Sequence, residues 1–339
     1  MLEKKEVLLP KSDQVGNLLG LSWGAGVDEV VDSFLLSPLR DFLKRPGKKI
    51  RGQMVEIGFE LANGKEGHQR TESENHQLLQ ASNLLEALHA ASLIIDDIQD
   101  DSEVRRGEPT VHKKHGMPLA LNAGNWLYFW PLQNVESWDV STEKKLSVFR
   151  ICHRGLLRAH FGQALDVGLD IFKVPQNRIR ANCLASLELK SGALMAMGLA
   201  LGAVLGGASG EFESLCDRFG HAFGIALQMF DDSGNASMPG AKQFEDLKLK
   251  RPSWLVAVAA SEFSESEFKE FEKVVLSLPD SQPLKLFLER TQLVSRARDE
   301  AKKYLKEALL LLERAKGGER PQAMKRIEEM AELLVRSYV

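Results

Sequence analysis

The chain has 339 residues, 44% of them hydrophobic, and a formal net charge of −3. That length allows one large domain or two, and the apolar content is ample for a buried core. A charge so close to zero argues against a nucleic-acid surface, and three widely spaced cysteines without a metal-ligand pattern indicate buried thiols in a reducing compartment.

Helical patterns fill nearly the whole chain, and strand-like alternation is scarce. We therefore predict an all-α fold, with one domain over residues 1–339, a motif-bearing core at about 40–260 and a helical tail at 261–339. Loops are predicted at 63–67 and 233–243, where turn-forming residues gather. The predicted helices cover 27–44, 48–63, 74–101, 118–135, 141–169, 176–207, 211–233, 252–261, 265–277, 284–314 and 320–337.

One uncharged stretch, residues 191–210, is long enough to suggest a transmembrane helix. It consists mostly of Gly, Ala, Leu and Met and lies between amphipathic helices, so we interpret it as the central helix of a soluble bundle. The N-terminus lacks an apolar signal core. We therefore expect a cytoplasmic protein with no transmembrane segment.

A cluster of charges directly follows the apolar run 84–95. Its members are Asp96, Asp97, Asp100, Asp101, Arg105 and Arg106. On a helix, Asp96 and Asp100 lie one turn apart on the same face, where like charges repel unless a cation lies between them. Mg²⁺ is usually held by one or two carboxylates plus phosphate oxygens, and guanidinium groups fit phosphate well. The cluster indicates a metal–phosphate site; the alternative is a solvated, charged helix end.

A second acidic pair, Asp231 and Asp232, closes the apolar stretch 219–230. Two such pairs, each ending an apolar helix, are hard to explain as surface charge. We interpret them as opposite walls of one cavity in which metal ions bridge a diphosphate.

These motifs resemble those of the trans-isoprenyl diphosphate synthases, most of all the geranylgeranyl and farnesyl diphosphate synthases. Residues 85–112 resemble the first aspartate-rich motif of that family, and Gly47-Lys48-Lys49-Ile50-Arg51 resembles its upstream Gly-Lys-x-x-Arg element. Residues 228–232 resemble the second aspartate-rich motif, and 245–247 the element after it. A single acidic pattern arises easily by chance, whereas several elements in the right order make a specific signal.

The resemblance implies a bundle of long antiparallel helices around a deep cavity, usually a homodimer. It also implies head-to-tail condensation of isopentenyl diphosphate with an allylic diphosphate. Breaking the allylic C–O bond leaves a cation and pyrophosphate, whose charge Mg²⁺ and cationic side chains stabilise. Water must be excluded because it would quench the cation.

The resemblance also assigns roles to individual residues. Three Mg²⁺ ions are expected: Asp96 and Asp100 would hold two and Asp231 the third, with Asp97, Asp101 and Asp232 in support. Contacts with the allylic diphosphate fall to Arg105, Lys190, Lys242 and Arg251. The diphosphate of isopentenyl diphosphate would be bound by Lys48, Arg51, His89 and Arg106. Ser191 and Gln228 would lie beside the reacting carbons, and with Lys190 they are the expected catalytic residues.

Several of these residues have plainer explanations when taken singly. Lys48 and Arg51 resemble ordinary surface cations, His89 a core histidine and Lys190 the solvent end of a helix. The chain also departs from the family at Asn235, where many members have a third aspartate, and at 250–254, which replaces a Gly-Lys segment.

The resemblance implies that product length depends on the residues just before the first aspartate. Ala91 and Ser92 are small, so a growing prenyl tail should pass them and stop near Leu88 and the aromatic-rich segment 122–130, which contains Trp126. We expect geranylgeranyl diphosphate (C20), then farnesyl diphosphate (C15). Two alternatives of other kinds remain: a class I terpene cyclase, and a non-catalytic subunit of a heteromeric synthase.

Overall fold

The computed structural model describes residues 9–22, 26–47, 50–237, 243–316 and 321–338. Within those ranges nearly all secondary structure is helical, which confirms the predicted all-α class. The chain divides into two compact units, Met1–Glu56 with Gly67–Phe149, and Ile57–Glu66 with Arg150–Val339. A single domain over the whole chain stays a prediction.

The first unit is built mainly around two long helices, α5 and α7. Its elements are α1 (Ser12–Leu18), α2 (Val27–Val31), a π-helical turn (Asp32–Leu36), α3 (Ser37–Lys44), the start of α4 (Ile50–Asn63), α5 (Glu72–Gln99), β1 (Val104–Arg105), β2 (Glu108–Pro109), α6 (Val111–His115), α7 (Met117–Gln133) and the start of α8 (Thr142–Gly168). A capping box fixes the first turn of α5: the Thr71 side chain accepts from the Glu74 backbone, and the Glu74 side chain accepts from the Thr71 backbone. Small buried residues of α5 and α7, such as Ala91 and Ala123, share one core cluster.

The second unit has a helix at its centre that is buried at every residue, α10. Its elements are the end of α4, most of α8, α9 (Gln176–Leu187), a π-helical turn (Glu188–Gly192), α10 (Ala193–Leu205), α11 (Gly210–Ser237), α12 (Glu245–Lys248), α13 (Trp254–Glu262), α14 (Glu265–Val275), α15 (Gln282–Thr291), α16 (Leu293–Lys316) and α17 (Pro321–Tyr338). The neighbours of α10 approach it closely at glycines of their own, since a Cβ at Gly220 of α11 would overlap Ala196 Cα.

Two helical stretches among the described residues are long and apolar enough to cross a membrane by length and composition, Glu72–Gln99 and Gln176–Leu205. However, 56% and 78% of their most apolar windows are buried inside the protein. Burial of this kind is typical of core helices in soluble proteins.

Several predicted helix limits are wrong, and three of the differences have a clear local form. The α11 helix continues to Ser237, so 233–237 is helical rather than loop. The predicted helix 284–314 is two helices, because Gln292 adopts a left-handed conformation (φ 53°) between α15 and α16. The α13 helix begins only at Trp254, since Ser253 before it is extended.

Candidate active site

The four aspartates at the end of α5 have different surroundings. The Asp97 side chain is 1% exposed and pairs with Arg105, whose Nη2 lies 2.5 Å from its Oδ1. Asp101 lies past the helix end, is 77% exposed and pairs with Lys113. Asp96 and Asp100 are half-buried, and Asp96 lies 3.9 Å from the Arg105 guanidinium. Successive helical residues differ by about 100° in direction, so adjacent aspartates meet opposite environments.

A short hairpin, β1–β2, follows the aspartates and carries both arginines. Its register pairs Arg105 with Glu108. The two residues between them, Arg106 and Gly107, have φ 57° and 83°, as tight two-residue hairpins require. A side chain at Gly47 would place its Cβ 2.9 Å from Arg106 Nη2, so glycine there lets the guanidinium lie against the backbone.

The predicted isopentenyl diphosphate residues of the first unit lie in one positive environment. His89 is buried, and burial, followed by the charges of Arg51, Arg106 and Arg105, holds its pKa well below the usual value. The imidazole is therefore neutral at neutral pH, and Ser92 Oγ donates to the His89 carbonyl at 2.8 Å. An incoming diphosphate would bring further negative charge to this group of cations. Lys48 lies outside the described residues.

In the second unit, the predicted catalytic residues Lys190 and Ser191 lie on the π-helical turn between α9 and α10. Such turns add one residue to a helix and recur at functional sites. Gly162 of α8 permits the turn to approach, since a Cβ there would lie 2.5 Å from the Lys190 nitrogen. Lys190 Nζ donates to Asp166 Oδ2 at 2.6 Å.

A chain of hydrogen bonds links this turn to the second acidic pair. Ser191 Oγ donates to Gln228 Oε1 at 2.8 Å, and Gln228 Nε2 donates to Asp232 Oδ1 at 2.9 Å. The Trp254 backbone N–H, at the start of α13, donates to Asp232 Oδ2 at 2.7 Å. Asp232 is therefore buried and engaged at both oxygens, whereas Asp231 is half-buried.

Two acidic residues that have no role assigned from the sequence belong to this cluster, Asp166 and Asp246. Burial, then the charges of Asp166 and Asp231, raise the pKa of Asp246 to about 7. Burial and the Asp246 charge also raise the pKa of Asp232 well above its usual value. The sequence motif at 245–247 could have indicated Asp246 as a site residue. No motif in the sequence indicates Asp166.

Arg251 and Lys242 complete the predicted cations of this unit. Arg251 is buried, and its Nη1 donates to the Asp166 carbonyl at 2.7 Å. Lys190 and Arg251 are thus both attached to the same residue of α8. Lys242 lies outside the described residues.

The carboxylates of the two acidic clusters fit Mg²⁺ that is bound together with diphosphate. Among the described residues, no three or more His, Cys, Asp or Glu side chains are grouped so as to hold a metal by themselves. Mg²⁺ needs only one or two protein carboxylates when phosphate oxygens and water complete its shell. Burial first, and neighbouring carboxylates second, raise the pKa values of Asp232 and Asp246, so a cation would stabilise their charged form.

The residues predicted to set product length lie in the first unit. Leu88 and Ala91 are fully buried, and Ala91 belongs to the core cluster between α5 and α7. Ser92 is half-buried. Trp126 stacks on Trp130 with ring centroids 5.2 Å apart.

Comparison with known proteins gives one consistent result. Residues 32–284 match the family model described as Polyprenyl synthetase. The chain is 29% identical to the geranylfarnesyl diphosphate synthase of Aeropyrum pernix over 66% of this chain and 70% of that protein. It is 28% identical to the geranylgeranyl diphosphate synthase of Sulfolobus acidocaldarius over 66% of each, and 34% identical to that of Methanosarcina mazei over 57% of this chain and 56% of that protein. The match thus spans less than two thirds of several relatives.

Solved structures show the same fold at low identity. The geranylgeranyl pyrophosphate synthetase of Pyrococcus horikoshii has a TM-score of 0.73 at 21% identity, covering 96% of this chain and 94% of that one. The geranylgeranyl pyrophosphate synthase of Corynebacterium glutamicum, complexed with isoprenyl diphosphate and magnesium, has a TM-score of 0.73 at 21% identity, covering 96% of each chain.

Proposed function

Because the chain belongs to the polyprenyl synthetase family and is a short-chain trans-isoprenyl diphosphate synthase, we propose that it condenses isopentenyl diphosphate with an allylic diphosphate to give geranylgeranyl diphosphate. The observation that carries the proposal is the end of α5. There Asp96 and Asp100 stand one turn apart, and Arg105 lies against the same cluster. Farnesyl diphosphate is the second candidate product.

Two different groups of side chains would bind the two diphosphates. Arg51, His89 and Arg106 would bind isopentenyl diphosphate, since they share one positive environment around a neutral imidazole. Arg105, Lys190 and Arg251 would contact the allylic diphosphate and neutralise the charge that grows on the leaving pyrophosphate. These roles come from the family resemblance.

Asp96, Asp100 and Asp231 would hold three Mg²⁺ ions. When bound, these ions would act as Lewis acids that stabilise the pyrophosphate. Ser191 and Gln228, hydrogen-bonded to each other, would lie beside the reacting carbons. Their fixed dipoles would stabilise the allyl cation without offering it a mobile water.

The direct test is Mg²⁺-dependent incubation of the purified chain with labelled isopentenyl diphosphate and each of the C5, C10 and C15 allylic diphosphates. Products are then resolved by carbon number. A discrete C20 product supports the proposal, and C30 or longer products contradict it. A cyclic hydrocarbon would favour the cyclase, and activity only with a second protein would favour the subunit.

Product length should respond to Ser92. We expect Ser92→Phe to shorten the main product from C20 to C15, because a ring there would block a half-buried position close to the first aspartates. One isoprene unit matches about one helical turn of ~5.4 Å. Ala91 is the poorer test site, since a ring there would overpack the core.

The control is Ser147→Phe on the first turns of α8, away from the end of α5 in sequence. It should leave the product distribution unchanged. If Ser92→Phe still makes C20 as its main product, the tail does not pass this residue.

We propose that the protein is a soluble homodimer in the cytoplasm. Large apolar side chains such as Phe129 and Phe161 are 72% and 66% exposed, so each unit offers surface for association. Light scattering coupled to size exclusion should give twice the mass of one chain.

A further inference from the structure

Arg45 is a buried cation with no part in the assignments above. It follows the last residue of α3, and its side chain is only 4% exposed. Taking a guanidinium out of water costs several kcal/mol unless its donors are matched. Its partners therefore indicate what it is for.

The Arg45 side chain joins both strands of the hairpin that carries the two site arginines. Its Nη1 donates to the Pro109 carbonyl at 2.9 Å and to the Arg105 carbonyl at 3.3 Å. Arg105 ends β1 and Pro109 ends β2. A hairpin with only two residues in each strand has little stability of its own, so these contacts fix its position.

The opposite side of the guanidinium is anchored on α3. Nη2 donates to Asp41 Oδ2 at 3.1 Å, and the guanidinium lies 5.2 Å from the centre of the Phe42 ring. Because both anchors belong to a regular helix, the fork of donors points in a fixed direction. The Arg45 side chain therefore fixes the hairpin relative to α3.

The contact is reciprocal. Arg106 Nη1 donates back to the Arg45 carbonyl at 3.3 Å, beside Gly47, where a Cβ would lie 2.9 Å from Arg106 Nη2. Each of the two arginines thus donates to backbone in the segment that carries the other. Arg45 holds the backbone of the hairpin, and its own backbone orients the Arg106 side chain.

We propose that Arg45 is a positioning residue, which sets the guanidiniums of Arg105 and Arg106 for diphosphate before substrate arrives. The inference rests on the proposed function, because it takes these two arginines as diphosphate-binding groups. Orienting flexible arginines in advance lowers the entropy lost on binding. Arg45 itself touches no substrate.

The test compares Arg45→Met and Arg45→Lys with Arg70→Met. Arg70 is a matched control in the same unit, since its side chain is 3% exposed and pairs with Glu56. We would measure kcat, KM for isopentenyl diphosphate, Tm, and the affinity for inorganic pyrophosphate by calorimetry. Arg45→Met should raise this KM and weaken pyrophosphate binding by about tenfold or more, a loss of ~1.4 kcal/mol or greater. Its kcat should fall as well, because Arg105 is assigned to the charge that grows on the leaving pyrophosphate.

Arg70→Met should lose a similar amount of Tm while KM and pyrophosphate affinity stay unchanged. If Arg45→Met changes only Tm and the active fraction, or if Arg70→Met raises KM equally, Arg45 is merely structural and the proposal fails. Should Arg45→Met not fold, Arg45→Lys decides: it keeps the charge but lacks the fork, so pyrophosphate affinity must still fall. If the wild-type chain does not catalyse prenyl transfer, the proposed function is wrong. The role of Arg45 is still tested in that case, because it is decided by the affinities of the variants for pyrophosphate.

Discussion

Asp96→Asn is expected to lower kcat/KM for chain elongation by about 10³-fold or more, because transition-state charge stabilisation by metal ions is worth several kcal/mol. The substitution keeps the size of the side chain and removes one negative charge from the pair one turn apart on α5. It also changes the field on Arg105, 3.9 Å away. Steady-state kinetics over a range of Mg²⁺ concentrations should show both a lower plateau and a weaker Mg²⁺ dependence.

Glu103→Gln provides the matched control for that prediction. Glu103 belongs to the same acidic run and has no assigned role, and its side chain is 76% exposed and paired with Lys113. Exposed ion pairs contribute about 0–1 kcal/mol, so kcat/KM should change by no more than about fivefold. Equal losses for the two variants would mean that net charge at the helix end, and not a metal held by Asp96, accounts for the activity.

The elements themselves followed from local patterns. The long apolar periodicity before Asp96 predicted α5, and small uncharged residues predicted the buried α10, because both depend on neighbours within a few turns. Helix ends were harder. No glycine or proline marks the break at Gln292, and its left-handed φ of 53° reflects how α15 and α16 pack.

The sequence did not predict that adjacent site residues differ in burial and hydrogen bonding. Asp231 and Asp232 are the same residue type, yet only Asp232 receives the Trp254 N–H, 22 residues further along the chain. Asp166 lies 24 residues before its partner Lys190. No motif in the sequence predicts that the Arg45 side chain is buried. Contacts at such separations depend on tertiary packing, which a motif does not encode.

Asp246→Asn is expected to stabilise the protein above neutral pH. Burial and neighbouring carboxylates raise the pKa of Asp246 from 3.8 to about 7, so the folded state binds more protons than the unfolded state between those values. Stability therefore falls as pH rises through this window, and the loss is complete above pH 7. One pKa unit corresponds to about 1.4 kcal/mol, which sets an upper limit of about 4 kcal/mol for this group.

Asparagine removes the charge and keeps the shape, so the Asn variant should have the higher free energy of unfolding at about pH 8 and no advantage at about pH 4. Urea unfolding at both values gives the difference directly. Asp299→Asn is the control, because that carboxylate is 59% exposed and should give no pH-dependent gain. An Asp246→Asn protein less stable than wild type at the higher pH would show that this carboxylate is not repelled by its neighbours.

The same substitution should slow the enzyme. Burial, followed by repulsion from Asp166 and Asp231, destabilises the charged form of Asp246. A bound Mg²⁺ would offset both effects. Groups that support metal ligands typically contribute about 10–100-fold to metal affinity or activity, so we expect Asp246→Asn to lose about that much. Mg²⁺ with pyrophosphate should raise the Tm of the wild type more than that of the variant at about pH 8. Only the wild type has a charged carboxylate at residue 246 whose repulsion the bound cation would reduce. Equal shifts in Tm would mean that Asp246 does not act on the metal, and the crowding of carboxylates would then need another explanation.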